Sequence, residues 1–361
     1  MDNIKKKLCD EANRKDPDDF YTKDLTLSDL RPGDILTFSG KGEESWITKL
    51  ICRFTNSWVS HGALFYQHGP VEALADAGST GIHAHLVTSD EKDRVAYVSR
   101  LVKTELISDK KSFYSDAEMA PVLTAAKGYV DQNLPYPYAD LVFLAMILLY
   151  KDHSKAGVKQ SVIIALLKVI AAELKKLLDE KYRHNYTMVC SSYVAQCYLD
   201  ASKKNRKFKL KLNKDADLRG SRRSSKTTNT LLELYAEHAA EYDYNTEVFH
   251  LASNDTLPNK SLEEIAQEAL EAEKNQRVML LKGNELSGAI ESLLKTLMEV
   301  LGFTFTTIKD MIANAREMQA MFVTPNDLCF NIENTKKIGK VHLNRADEDL
   351  AADQVYDYSK A

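Results

Sequence analysis

The chain has 361 residues, of which 28% are charged and 44% are hydrophobic, and its formal net charge at pH 7 is −4. This balance is typical of globular proteins, and the length allows more than one core. The small negative charge excludes the general attraction to nucleic acid that strongly basic proteins have, so no nucleic-acid partner is expected.

The sequence also bears on location. The first twenty residues lack the apolar core of a signal peptide. The longest nearly uncharged apolar stretch, residues 141–150, is too short to span a bilayer. The five cysteines are odd in number and irregularly spaced, so they predict no disulfide framework. We expect a cytoplasmic protein, or one secreted without a cleaved signal as an effector is, in which a free thiol persists.

The first hundred residues predict a small antiparallel sheet. Residues 1–25 are polar and are expected to form a loose or helical arm. Apolar spacing predicts a helix over residues 44–54. Short apolar runs separated by turn residues predict strands at residues 35–38, 62–66, 71–75, 81–87 and 95–101. Strands in such quick succession indicate a meander or small barrel and not a parallel βαβ fold.

From residue 121 the pattern becomes helical. Helices are predicted at residues 125–133, 140–150 and 161–182, and a further helix begins at Cys190. The first half of the third helix is apolar on nearly every side, so it is either deeply buried or docked on an apolar partner. Residues 261–320 are predicted to be helical again.

A basic segment separates the two helical regions. Residues 203–226 contain eleven Lys or Arg residues. This segment is interpreted as a solvated loop, with attraction to anionic lipid as the alternative. Near the end of the chain, residues 322–328 and 340–343 are predicted to be strands, and residues 347–361 form an acidic tail.

These patterns define a class and a division of the chain. We predict an α+β protein in which a small antiparallel sheet or barrel packs against a cysteine-bearing helix, with large helical insertions. The predicted parts are an arm at 1–25, a core of strands and helices at 26–202, a basic linker with helices at 203–319, returning strands at 320–343, and a tail at 344–361. The resemblance given below implies that 26–202 is a catalytic core and that 151–185 and 203–319 hold helical insertions.

Cys190 is the candidate nucleophile. It begins a helix-like run (CSSYVAQC), and a helix N-terminus and a nearby imidazole are two environments that favour a thiolate. His61 enters an apolar strand (WVSHGALFY), where it would be held rigidly enough to act as a base. Cys197 lies on the same helix and is expected to be an ordinary buried cysteine. The alternatives are that Cys190 is a buried small residue and that His61 is a core or surface histidine.

A third group is expected to orient the imidazole. Glu72 is the charged residue in the run VEALA, and a carboxylate inside an apolar strand needs a partner. The prediction is that Glu72 pairs with His61 across neighbouring strands. The alternative, an outward-facing surface Glu72, is at least as compatible with the sequence.

A metal site is disfavoured. His83 and His85 lie on one strand face and, with Cys52 or His68, contain suitable donors. However, no zinc-like spacing connects them. The segment 40–42 (GKG) is not a phosphate-binding loop. Neither a metal nor a cofactor is expected.

The motifs together resemble a known family. They are PGDIL at 32–36, WVSHGALF at 58–65, VEA at 71–73, the tyrosine-bearing YPYAD at 136–140 and TPNDL at 324–328. This set, in this order, is similar to the circularly permuted papain-like cysteine hydrolases of the NlpC-type cell-wall peptidase superfamily, which are related to lecithin retinol acyltransferase. In that family the histidine strand precedes the cysteine helix, as His61 precedes Cys190 here.

The resemblance implies a thiol hydrolase or acyltransferase that cleaves an amide or ester bond through a thioester. It implies a Cys190–His61–Glu72 triad, with backbone N–H groups at the helix start receiving the oxyanion. Candidate substrate-binding residues are Tyr138, Trp58 and Ser191.

The substrate stays open at this point. The apolar helices and the basic segment favour an acyl lipid and peripheral membrane contact through residues 203–226. The alternatives are a peptidoglycan peptide, or a non-catalytic effector that uses the same fold to bind a partner.

Overall fold

Seven antiparallel strands form one sheet. The computed structural model describes residues 14–42, 45–67, 71–78, 81–89, 94–104, 111–132, 139–151, 158–179, 189–213, 230–240, 258–271 and 284–349. In these ranges the strands are β1 Ile35–Ser39, β2 Val59–Gln67, β3 Ala73–Gly78, β4 Gly81–Thr88, β5 Arg94–Thr104, β6 Lys111–Phe113 and β7 Thr335–Asp349. The mixed α and β class and the antiparallel sheet are as predicted, and β1 to β5 match the predicted strands within three residues at each end.

The sheet closes into a barrel. The strand order is β1-β2-β3-β4-β7-β5-β6, and β1 also pairs with β5. Six strands therefore form a ring, and β6 extends β5 outside it. Alternate residues of each strand point into the ring because side chains alternate between faces. The inward apolar residues form the barrel core: Leu36, Phe38, Ala63, Phe65, Leu74, Val87, Ala96, Val98, Val341 and Leu343.

Helices account for most of the remaining described residues. They are α1 Trp46–Thr55, α2 Asp116–Gln132, α3 Ala139–Tyr150, α4 Gln160–Asp179, α5 Cys190–Lys204, α6 Leu231–Ala240, α7 Leu262–Glu271, α8 Asn284–Val300, α9 Ile308–Met321 and α10 Pro325–Phe330. The predicted helices at 44–54, 140–150 and 161–182 correspond to α1, α3 and α4.

A second core lies among the helices. Apolar side chains of α1, α3, α4, α6, α7, α8 and α9 form one buried cluster. The apolar residues of α4, exemplified by Ile163 and Leu167, are buried in it. The two predicted insertions therefore share a single core with α1 and α3, which we call the helical core.

Helix α5 packs on the outside of the barrel. Tyr193, Val194 and Cys197 join Leu64 and Tyr66 of β2 in one cluster. Gly62 lies against this turn and against α10: a Cβ atom there would be in ordinary contact with the Cα of Ser191, at 3.6 Å, and in tight contact with Cδ1 of Leu328, at 3.1 Å. The first turn of α5 thus lies directly beside the strand that carries the predicted base.

The TPNDL segment is a helix, so the predicted strand at 322–328 is wrong. Thr324 caps α10: its hydroxyl accepts a hydrogen bond from the Asp327 N–H, and the Asp327 carboxylate accepts one from the Thr324 N–H at 2.9 Å. Pro325 occupies the first helical turn, where its missing N–H costs nothing. The pattern is a capping box, a signal that the apolar character of the segment concealed.

The terminal assignments also change. Residues 14–25 do not form a loose arm: the Tyr21 hydroxyl is buried and donates to the Cys329 carbonyl at 2.7 Å, and Leu25 joins the barrel core. Strand β7 extends to Asp349, so residues 344–349 belong to the sheet and not to a tail. In the basic segment, residues 203–204 end α5 and Phe208 is buried. Residues 1–13, 214–229 and 350–361 lie outside the described residues.

Candidate active site

Cys190 is the first residue of α5. The preceding residue, Val189, provides no side-chain cap, and the Val189 carbonyl accepts the first bond of the helix from the Tyr193 N–H at 2.8 Å. The N–H groups of Cys190, Ser191 and Ser192 have no intrahelical acceptor, because no turn precedes them. The positive end of the helix dipole therefore lies at the sulfur, where it favours negative charge.

His61 on β2 contacts both Cys190 and a carboxylate. Its Nε2 atom lies 2.8 Å from Oδ2 of Asp76 on β3. Cys190 lines the same cavity and is among the groups that raise the pKa of the imidazole, through its charge and a side-chain hydrogen bond, and Nδ1 is the ring nitrogen that Asp76 does not engage. Cys190 and His61, 129 residues apart in the chain, thus line one cavity.

The carboxylate is Asp76 and not Glu72, so the prediction of Glu72 as the third group is corrected. The β2–β3 register pairs Leu64 with Ala75, which places Asp76 on the same sheet face as His61 as a diagonal neighbour. Glu72 precedes β3, at the far end of this strand pair from His61. A carboxylate inside an apolar strand needs a partner, and the sequence analysis used this argument for Glu72 only. It applies equally to Asp76, which lies in the apolar run ALADAG.

Asp76 is buried and lies between two histidines. Its side chain is 3% exposed, and its second oxygen, Oδ1, lies 3.5 Å from Nε2 of His85 on β4. His83 pairs directly with Asp76 in the β3–β4 register, and its ring lies 5.8 Å from that of His85. Asp76 is therefore held by groups on both neighbouring strands, which fixes the carboxylate for its contact with His61.

The surroundings favour a protonated His61. Burial lowers the pKa of the imidazole, but the charge of Cys190 and the hydrogen bond and charge of Asp76 outweigh it and raise the pKa to about 10. Asp140 on α3 also interacts electrostatically with the His61 ring. Burial raises the Asp140 pKa, and attraction to His61 partly opposes that rise. The site is therefore arranged to stabilise an imidazolium.

The residues open into a cavity of about 550 Å³. This volume is within the range of small-molecule sites. The cavity lies where the barrel, the start of α5 and the helical core meet. The barrel supplies Phe38, His61, Leu74, Asp76, His83, His85, Arg94 and Leu343, α5 supplies Cys190, and helices α1 and α3 supply Ile47, Ile51, Ala139, Asp140 and Phe143. Helices α1 and α3 therefore form one wall of the cavity, and among the described residues neither predicted insertion, 151–185 or 203–319, contributes to its lining.

The three candidate substrate-binding residues lie in different places relative to the cavity. Tyr138 lies outside the described residues. Trp58 stacks with the Arg14 guanidinium, 4.5 Å from the ring centre, and does not line the cavity among the residues described. The Ser191 hydroxyl is buried and donates to the Val323 carbonyl at 2.7 Å. The prediction for Ser191 is corrected, because this hydroxyl ties α5 to the segment before α10.

The sequence did not single out two charged residues that line the cavity, Arg94 and Asp140. Asp140 was within the quoted YPYAD motif, but that motif directed attention to its tyrosines. Arg94 begins a strand with ordinary polar neighbours, so the sequence carried no signal for it.

Metal and membrane features were also searched within the described residues. There, no three His, Cys, Asp or Glu side chains are grouped so that they could hold a metal ion. Among the same residues, no helix has the length and apolar character needed to cross a bilayer.

Comparison with known proteins yields no assignment. No protein-family model matches the chain, and no match is found among the curated proteins.

Proposed function

We propose that this protein is a cysteine hydrolase, or acyltransferase, that cleaves an amide or ester bond through a Cys190–His61–Asp76 triad. The observation that carries the proposal is the contact of one imidazole with both a thiol at a helix start and a buried carboxylate, at the edge of a cavity. Covalent catalysis of this kind requires a nucleophile, a base and an orienting group that are linked by hydrogen bonds.

Each step of the reaction has a group to perform it. His61 accepts the thiol proton, and the Cys190 sulfur attacks the acyl carbon. The oxyanion that forms is received by backbone N–H groups at the start of α5. As the carbon–nitrogen or carbon–oxygen bond breaks, the imidazolium returns the proton to the leaving amine or alcohol. Water, activated by His61, then hydrolyses the thioester to the free acid and thiol.

Asp76 has the supporting role in this scheme. Its hydrogen bond to Nε2 orients the ring so that Nδ1 faces sulfur, and its charge stabilises the imidazolium. The order His61, Asp76, Cys190 along the chain is the order of the circularly permuted papain-like hydrolases. Membership of that branch is part of the proposal, with Asp76 in place of the expected Glu72.

For the substrate we favour an acylated small molecule or lipid. Apolar side chains from both cores line the cavity, among them Phe38, Ile51 and Phe143. These walls suit an acyl chain, whereas a peptidoglycan peptide is polar along its length. The apolar surfaces of α3 and α4 no longer support this choice, since they pack within the helical core.

The test is hydrolysis of acyl esters, phospholipids and peptidoglycan fragments by the wild-type protein and by Cys190→Ala. We expect turnover of an acyl substrate that falls about 10⁴-fold or more in the variant, since loss of a nucleophile removes the covalent route. Intact-mass spectrometry should detect an acyl adduct on Cys190.

Cys197→Ala is the matched control. Cys197 lies on the same helix and is fully buried, and burial raises the pKa of its thiol. This variant should keep the acyl adduct and the turnover. Undiminished activity in Cys190→Ala contradicts the proposal. Hydrolysis of no substrate and no adduct would favour the non-catalytic binding protein.

A further inference from the structure

A row of basic side chains lies at the end of α5 and in the segment that follows it. The stretch 203–211 contains six Lys or Arg residues and no Asp or Glu, although the whole chain has 52 acidic and 48 basic residues. This part of the surface is therefore positive while the chain as a whole is slightly negative. All six basic side chains are exposed: Lys203, Lys204, Arg206, Lys207, Lys209 and Lys211.

Alternation of apolar and basic residues fixes the direction in which two of the lysines point. In the run FKLKL, at 208–212, Phe208 is buried, and Leu210 and Leu212 pack on the cluster that joins α5 to the outside of the barrel. Side chains of an extended segment alternate between its two sides. Lys209 and Lys211 therefore point away from this cluster together.

Hydrogen bonds hold this segment against the start of β7. The Asn334 side chain accepts a bond from the Lys211 N–H at 2.8 Å and donates one to the Lys209 carbonyl at 3.0 Å. The Glu333 N–H donates to the Lys211 carbonyl at 2.9 Å. Lys336 follows on β7 and is exposed, so a lysine from a distant part of the sequence joins the row.

Aromatic rings bring lysines from different elements to the same place. The ammonium groups of Lys207 and Lys103 lie over one ring, that of Tyr114, at 5.4 and 5.8 Å from its centre. Lys336 lies over the ring of the neighbouring Phe113 at 5.9 Å. The segment after α5 and the start of β7 thus share one surface. We call it the basic face and define it as Lys207, Lys209, Lys211 and Lys336.

Acidic side chains do not neutralise the basic face. Within the part of the chain that the structure describes, no ion pair involves its four lysines. The nearby carboxylates of Glu118 and Asp200 pair with two other lysines, Lys103 and Lys203. Glu333 is exposed beside the face and contributes one negative charge against four positive ones. The face therefore keeps a net positive charge that is directed to solvent.

The side chains around the lysines favour a lipid surface over nucleic acid. Proteins that bind single strands stack the bases on exposed aromatic rings. Here Tyr114 is 7% exposed and Phe208 is fully buried, so neither ring is open to a base. Leu199, one turn before Lys203 on α5, is instead an exposed large apolar side chain. Basic side chains next to an exposed apolar one suit the interface of an anionic membrane.

We propose that the basic face binds the protein to an anionic lipid surface. The lysine ammonium groups contact the negative headgroups, and Leu199 enters the interface. Helix α5 has 15 residues, so Cys190 at its start lies about 21 Å along the helix axis from Lys204 at its end. The contact is therefore an anchor that is separate from the proposed reacting groups, and it does not depend on the proposed function.

The experiment measures binding of the full-length protein to lipid vesicles by flotation. The vesicles consist of phosphatidylcholine alone, or of phosphatidylcholine with about one-third phosphatidylserine. At about 0.1 M sodium chloride, we expect at least about tenfold tighter binding to the anionic vesicles, because each lysine near such a surface contributes about fivefold. Binding should weaken steeply as the salt concentration rises to about 0.5 M, because salt screens the attraction.

Variants locate the contact on the protein. Lys209→Gln/Lys211→Gln should weaken binding to the anionic vesicles at least about tenfold. Lys176→Gln/Lys309→Gln is the matched control, since it removes the same charge from exposed positions on α4 and α9. The control should bind within about twofold of the wild type, because charges more than about 10 Å from the lipid are screened. Thermal unfolding checks that both variants are folded.

Each outcome decides the inference. Equal binding to neutral and anionic vesicles, or anionic binding that survives Lys209→Gln/Lys211→Gln, overturns it. Tighter binding to a DNA duplex than to anionic vesicles at the same salt concentration assigns the basic face to nucleic acid and also overturns it. Turnover of a water-soluble acyl ester should be the same in Lys209→Gln/Lys211→Gln and in the wild type. Absence of turnover and of an acyl adduct in the wild type counts against the hydrolase alone.

Discussion

Two buried aspartates of the barrel bind different partners, and the proposed function gives a catalytic role to only one of them. Asp34, next to β1, is 1% exposed and binds Arg100 through two hydrogen bonds of 2.6 and 2.7 Å. Asp76 on β3 is 2% exposed and binds His61 at 2.8 Å. Burial and an opposite charge are thus common to both, and neither property identifies the functional pair.

The difference lies in the partner. Arg100 is a permanent cation, and its guanidinium also donates to the Asp29 carbonyl, so the pair joins β5 to the turn before β1. Burial raises the pKa of Asp34 even with Arg100 beside it. His61 is a titratable group that lines a cavity and contacts a thiol. A buried ion pair is a candidate catalytic pair when its cation can release a proton and lines a cavity that a substrate can enter.

The first prediction tests the structural pair. Arg100→Met leaves the buried Asp34 carboxylate without its guanidinium, and the free energy of unfolding should fall by about 3–5 kcal/mol. Denaturant unfolding measures this loss. Activity per folded molecule should stay near the wild-type value, because Arg100 is not part of the cavity lining. A loss of activity without a loss of stability would break the comparison.

The second prediction tests the proposed catalytic pair. Asp76→Asn keeps the shape of the side chain but loses the charge that supports the imidazolium, so kcat should fall by about 10²–10⁴-fold. Steady-state kinetics on the acyl substrate measures the effect. Glu72→Gln is the matched control and should leave kcat within about twofold. The reverse result would restore Glu72 as the orienting residue.

The third prediction concerns pH. The pKa of His61 is raised from 6.5 to about 10 in the folded protein, so the protonated ring contributes to stability. This contribution is complete below about pH 6.5, the unfolded value, and is lost as the pH rises through about 10. The stability difference between wild type and His61→Gln should therefore shrink from pH 6 to pH 10, measured by urea unfolding. A constant difference across that range would contradict the raised pKa.

The smallest effect is expected at a third pair. Lys151 lies 2.9 Å from Asp327 and is 25% exposed, and Asp327 keeps hydrogen bonds from Thr324 and Asn331 without it. Burial raises the Asp327 pKa, but Lys151 and the hydrogen bonds from Thr324 lower it by more, so the pKa lies below its usual value. Lys151→Gln should cost about 1 kcal/mol in thermal or denaturant unfolding. A cost as large as that of Arg100→Met would mean that exposure of the cation does not matter.

Local pattern predicted much of the fold and two of the three residues of the proposed triad. The strand runs before residue 101 and the apolar spacing of α1, α3 and α4 were sufficient to predict those elements. Cys190 and His61 were found because each lies in a short context that suits its chemistry. Barrel closure could not be predicted, because pairing of β7 with β4 and β5 joins segments more than 200 residues apart.

The choice between Glu72 and Asp76 shows where sequence reasoning ends. The two carboxylates are four residues apart in the same apolar region, and only the register of β3 against β2 decides which meets His61. A change of register moves a side chain along the strand or to the other face. Arg94 was missed for a related reason, since its place in the ring depends on pairings with both β1 and β7.

The division of the cavity between two cores has a practical consequence. The proposed reacting groups belong to the barrel and α5, whereas Ile47, Ile51 and Phe143 belong to the helical core. Substituting those three residues with smaller or larger ones should change the selectivity for acyl chains, while the barrel and α5, which hold the proposed proton-transfer groups, stay unchanged. The protein is thus suited to engineering in which the helical core is redesigned and the barrel is left as it is.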